Sequence, residues 1–228
     1  EGLAALPLFL ALRAGIRAMV DLHRIAGANE ALPDVLDDAR HYLSQASRYL
    51  APAQPCLVAV GGLSGIGIAP GAVHLRSDIE RKRLFQLGET EHLPDAAYTR
   101  PVTERVYATL GEKAATVLAT GYAVIVDAVH SAPHERAAIA RVAEAAHAPF
   151  VGLWLEAPDA VLKNRVAART GDASDATAEV VTRQLEYDLG DITWHRLDAG
   201  GSLDTTRSQA AAVIAATLSA PMLQEPPT

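Results

Sequence analysis

A doubly wound, mainly parallel α/β sheet is the fold class that this 228-residue sequence predicts, and three observations carry the prediction. From Cys56 onward, short β-rich apolar runs alternate with helical patterns, as strands joined by helical crossovers do. Half of the residues are hydrophobic but only 5% are aromatic, a composition that suits helices laid on a sheet. A glycine-rich turn, GGLSGIG at 61–67, comes directly after the first apolar run.

The elements run in order along the chain. Residues 2–24 read as an amphipathic helix with Leu6, Leu10, Ile16 and Val20 at helical spacing. A second helix is expected from Pro33 to Leu50, with an apolar stripe of Val35, Leu36, Ala39, Tyr42, Leu43 and Ala46. The prolines of APAQP at 51–55 then stop the helix. Two helices bury too little surface to stand as a domain. Residues 1–52 are therefore expected to close a larger helical lobe, with 53–55 as linker. Five strands are expected at 56–60, 72–75, 123–126, 150–155 and, least marked, 194–197. Helices are expected near 101–120, 134–147, 158–170, 177–189 and 203–218, so that one α/β domain fills 56–220 and 221–228 form a loose tail.

Composition excludes some functions. A net charge of −7 gives no broad positive field for nucleic-acid backbone. The single Cys56 sits in an apolar run and cannot form an internal disulfide, which suits a reducing, cytoplasmic location. The apolar start Leu3–Leu12 is broken by Arg13 and is too short to span a bilayer. It also lacks a basic leader, and a chain opening on Glu1 is expected to have something upstream.

Four stations could carry chemistry. Glycines 61, 62, 65 and 67 come after a buried-type strand, where successive N–H groups can converge on a phosphate; the plainer reading is a hairpin turn. In HLRSDIERKRL, Asp78 and Arg81 share one face of a helical turn, so that a carboxylate could take a hydroxyl proton while a guanidinium holds an oxyanion. The plainer alternative is a helix cap beside a solvated basic face of Arg76, Arg81, Lys82 and Arg83. YAVIVDAV ends a strand on Asp127, which could hold Mg²⁺ through water, contact substrate, or simply begin a loop. In LKNRVAARTGDASDAT, Arg165 and Arg169 lie one turn apart before a glycine corner, either as lid arginines or as exposed helix residues. His130 and His134 lack a third ligand, and no serine sits in a nucleophile elbow.

Taken in order, the stations resemble those of P-loop small-molecule kinases. Asp78-Ile79-Glu80-Arg81 and the Arg165/Arg169 pair resemble the base, substrate-phosphate and lid elements of phage-type polynucleotide kinases. Gluconate kinases, zeta-toxin kinases and chloramphenicol phosphotransferases are broader relatives by that resemblance. A closer resemblance, over 56–218, is to a bacterial family that fuses an aminoglycoside-phosphotransferase-like domain to a C-terminal AAA-type P-loop kinase domain. CLVAVGGLSGIG, HLRSDIERKRLF, YAVIVDAV, PFVGLWLEAP and GDASDATAEVVTRQLEYDLG carry it, and LPLFLALRAGIRAMVDL resembles the last helices of the preceding domain.

The resemblance implies an ATP- and Mg²⁺-dependent kinase acting on a hydroxyl of a small molecule. Gly62, Leu63, Ser64, Gly65, Ile66 and Gly67 would cradle phosphates, and Asp78 would be the general base. Arg81 would contact substrate, Arg165 and Arg169 would reach ATP, and Asp127 would touch metal or substrate. The family's pattern continues after Gly67 with Lys, Ser or Thr and a crossover helix, whereas this sequence reads Ile68-Ala69-Pro70-Gly71. Four residues separate Gly67 from Ala72 and reach at most about 13–14 Å. Either the first two strands form an antiparallel hairpin, or a helix is absent from this sequence between Gly67 and Ile68. The second outcome, with parallel strands, is the expectation. The alternative function is a non-catalytic nucleotide-binding or interaction module that has lost its lysine.

Overall fold

The computed structural model describes residues 5–28, 32–50, 55–62, 72–168 and 173–219, in two compact units, 1–54 and 55–228. The first unit is a pair of helices, α1 (Leu6–Ala26) and α2 (Pro33–Leu50). Its buried seam is made of small residues, Ala11, Ala14, Ala18 and Ala39. This corrects the apolar stripes expected from periodicity, because Ile16, Val20 and Leu43 are all exposed in the unit. Alanines let two backbones approach, and a single seam cannot also cover the larger side chains on the flanks. Among the described residues, no helix is long and apolar enough to cross a membrane.

The second unit holds five strands, β1 (Leu57–Gly61), β2 (Val73–Arg76), β3 (Val124–Asp127), β4 (Phe150–Glu156) and β5 (His195–Asp198). They form one all-parallel sheet in the order β2-β3-β1-β4-β5. The central strand β1 is buried throughout, as its unbroken apolar run requires, while the edge strands β2 and β5 are partly exposed. Helices α3 (Ser77–Leu84), α4 (Arg100–Ala119), α5 (Pro133–Ala145), α6 (Asp159–Ala168), α7 (Ala178–Leu185) and α8 (Leu203–Ser219) supply the remaining layers. On one face Val58, Val60, Ile125, Val151, Leu153 and Leu197 meet Ala210, Val213 and Ile214 of α8. Val106, Leu110 and Ala114 of α4 and Ile139 and Ala143 of α5 are also buried. Pro101 and Pro133 mark the starts of α4 and α5, where a missing N–H costs nothing.

The hairpin alternative fails: β1 and β2 are each parallel to β3, which lies between them. The choice between a hairpin and an absent helix counted too little chain. Ten residues stand between Gly62 and Val73, a reach of about 33–36 Å. Returning along a strand and passing two strand spacings needs only about 17 and 10 Å. Connectivity therefore does not by itself demand a further helix. Residues 63–71, on which the expected break after Gly67 falls, lie outside the described residues.

Candidate active site

Parallel strands bring their carboxyl ends to one edge, and the chain leaves β1 towards opposite sides there, between β3 and β4. The edge carries Gly61 and Gly62 after β1, Arg76 on β2, Asp127 on β3 and Glu156 on β4. Val60 and Arg76 both lie in register with Asp127. Gly62 adopts φ 93°, and a Cβ there would stand 2.6 Å from the Leu155 carbonyl oxygen. Both facts demand glycine whatever the loop binds. The other predicted loop residues, Leu63, Ser64, Gly65, Ile66 and Gly67, lie outside the described residues, as does Arg169.

Asp127 is buried at the end of β3, with His74 Nε2 at 3.4 Å and Arg76 Nε at 3.7 Å. β2 runs into α3 without a loop, which puts Asp78 in the first helical turn beside that edge. Burial, the main cause, pushes the Asp78 carboxyl above the ordinary carboxylate range. A hydrogen bond from the Ser174 hydroxyl opposes the rise, Asp127 adds to it, and Arg76 and Arg81 oppose it. The structure thus gathers Asp78, Arg81 and Asp127 into one electrostatic group. A half-buried carboxyl held so can exchange a proton near neutral pH.

Arg81 is buried and donates to the Ala97 carbonyl at 2.6 Å and to Thr103 at 3.2 Å, with its guanidinium 5.2 Å from the centre of the Tyr98 ring. Its bonds brace the chain that leads into α4. Arg165 stands at the far end of the edge, donating from Nη1 to Ala199 O at 2.5 Å and from Nη2 to Gly201 O at 2.7 Å. It ties α6 to the loop after β5, with the glycines of β1 lying between it and Asp78 in the strand order.

The idea of a wholly solvated basic face on α3 is overturned, since Glu80, Arg81 and Lys82 are all buried. Glu80 accepts from Arg83 at 2.6 Å and Lys113 at 2.5 Å. Lys82 pairs with Asp175 at 3.1 Å. Sequence reasoning missed Lys82, Ser174 and Asp175. The only signal was a dense charge run on a short helix, which reads the same whether its partners are water or protein.

His130 is fully buried between the Tyr107 and Trp194 rings, at centroid distances of 5.3 and 5.1 Å. Burial drives its pKa down to about 4, against the pull of Asp127. Among the described residues no cluster of three or more His, Cys, Asp or Glu side chains could hold a metal.

The five-stranded parallel sheet, with its glycine turn at the switch of direction, is an α/β fold of the P-loop kinase type. Residues 58–187 match the AAA domain family, and the chain belongs to it. An uncharacterized protein of Mycobacterium tuberculosis strain H37Rv is 32% identical over 219 residues, covering 89% of this chain. The chain spans only 43% of that relative's length. Among solved structures, a putative kinase from Chloroflexus aurantiacus superposes with a TM-score of 0.50 at 18% identity, over 70% of this chain and 98% of its own. That likeness bears on the fold alone. A gluconokinase from Sinorhizobium meliloti is 21% identical, with a TM-score of 0.47, over 72% of this chain and 94% of its own.

Proposed function

We propose that this chain is an ATP-dependent kinase domain that transfers the γ-phosphoryl group to a hydroxyl of a small molecule. The observation that carries the reading is the Asp78 carboxyl, raised by burial and set one strand from Asp127 at the carboxyl edge of the sheet. Asp78 takes the proton of the attacking hydroxyl. Arg81 holds the substrate side of the pocket in place through the Ala97–Thr103 segment. The turn at 62–67 presents N–H groups to the phosphates, and Arg165 and Arg169 face ATP from α6 and the loop after it.

Asp127 and Asp78 fit the one or two carboxylates that a hydrated Mg²⁺ takes. Such an ion, when bound, neutralises phosphate charge. The reading also takes residues 1–54 as the end of an aminoglycoside-phosphotransferase-like domain, in a cytoplasmic protein.

A second reading rests on a different observation. The sequence runs Gly67-Ile68-Ala69-Pro70 where a Lys and a Ser or Thr would stand, which favours a nucleotide-binding module without catalysis. The kinase reading requires those two residues in a segment of the native chain between Gly67 and Ile68, and the intact mass of the native protein decides that point. The functional test is calorimetric titration with Mg·ATP, together with ADP release over a panel of sugars, nucleosides and aminoglycosides. Acceptor-dependent ADP release supports the kinase. Binding without release supports the module, and absence of binding defeats both.

A further inference from the structure

Asp175 gathers more partners than any role in a loose corner would explain. Its Oδ1 lies 3.1 Å from the Lys82 ammonium, and its Oδ2 accepts the Leu93 N–H at 2.9 Å and the Tyr98 hydroxyl at 3.5 Å. The His92 ring stands 3.4 Å away. Lys82 is 1% exposed and also donates to the Glu89 carbonyl at 2.9 Å. One carboxylate thus joins the segment after α6 to α3 and to the irregular stretch from Glu89 to Tyr98. The neighbouring residue, Ser174, donates its hydroxyl to Asp78.

We propose that Lys82 and Asp175 are positioning residues: their buried ion pair clamps residues 173–177 onto α3 and the 88–98 loop, and so holds the Ser174 hydroxyl on Asp78. Two constraints argue for this. A buried ammonium is tolerated only when paired and hydrogen-bonded, so wherever Lys82 stays buried, Asp175 must stay with it. Lys82 lies one helical turn beyond Asp78, so the same short helix fixes both the anchor and the group to be positioned. The device deepens the kinase reading, because it names what orients the proposed base, and its geometry stands apart from turnover.

The test is residue-resolved amide exchange on the full chain, with carboxyl ¹³C spectroscopy of Asp78. Lys82→Met and Asp175→Ala should each speed exchange at Leu93 and across 173–177 at least about tenfold, while β3 and β4 amides stay protected. Should either variant lose core protection, Asp175→Asn decides, since it keeps an acceptor for Leu93 and should give a smaller rise in the same amides. Ser174→Ala should leave exchange within about twofold of the parent but move the Asp78 carboxyl resonance. Parental exchange in the Lys82 and Asp175 variants overturns the clamp, and an unmoved Asp78 resonance in Ser174→Ala overturns its link to the base. None of these measurements needs an acceptor, so a parent that transfers no phosphoryl group refutes the kinase reading alone. Where the parent does turn over, Ser174→Ala should lower kcat and leave KM for ATP unchanged; an unchanged kcat overturns the positioning role.

Discussion

Replacing Gly62 with alanine separates a glycine kept for its backbone from one kept for its ligand. At φ 93° an L-residue is strained, and the new Cβ would lie 2.6 Å from the Leu155 carbonyl oxygen and 3.3 Å from the Leu155 Cβ. The near neighbour is backbone of β4, which is paired on both sides and cannot swing away. Strain and overpacking together should cost about 2–4 kcal/mol. For a chain of this size that is a fall of roughly 4–16 °C in Tm.

Gly121 supplies the control, because it also has positive φ, 82°, but a Cβ there meets nothing within 4 Å. Gly121→Ala should therefore cost only the strain, about 1 kcal/mol. Thermal and urea unfolding of both variants measure the difference, and Mg·ATP titration measures the effect on the loop. If Gly62→Ala melts no lower than Gly121→Ala and binds ATP like the parent, the account of the β1 end is wrong.

The same structure sets other outcomes. Asp78→Asn should leave ATP binding intact and cut transfer by roughly 10²–10⁴-fold, with the acid limb of the parental pH–rate profile lying above the ordinary carboxylate range; steady-state kinetics against pH check both. Because the folded-state pKa of Asp78 is raised, its stabilising contribution is full below the unfolded value and lost as pH rises through the folded one. Asp78→Asn should therefore be relatively more stable than the parent at neutral pH than at acid pH, as paired melting curves would report. His130 has the opposite sign: its folded pKa of about 4 lies below the ordinary histidine value of 6.5, so stability held above pH 6.5 is lost as pH falls towards 4. His130→Phe should flatten that loss in acid titrations monitored by circular dichroism. Arg165→Ala frees the carbonyls of Ala199 and Gly201 and should lower stability by about 1–3 kcal/mol, with Arg165→Lys restoring part; a parental urea midpoint would contradict the observed tie.

Much of the fold was legible in the chain because strands buried on both sides must be apolar throughout. Leu57–Gly61 and Val124–Asp127 announce themselves that way, and Pro101 and Pro133 announce the helices that they open. The order of glycine turn, Asp78, Asp127 and Arg165 was legible for the same reason, since parallel strands all deliver their C-terminal residues to one edge. The AAA domain match rests on that order.

The fate of charges and of small residues was not legible. ERKR at 80–83 reads as a solvated face, yet Glu80 finds Lys113 thirty-three positions away and Lys82 finds Asp175 ninety-three away. Gly152 carries no local signal either, and only the fold shows that a Cβ there would meet the Trp194 ring at 2.4 Å. Which segments become strands and helices, and that all strand ends share an edge, could be read from the residues alone, because period and burial pattern are local properties of the chain. That Asp78 sits with Asp127, Ser174 and Arg81, and that Arg165 turns to the loop after β5, emerged only once the elements had packed. Desolvation and pairing depend on residues far apart in sequence, and a charge has no partner until the chain has folded around it.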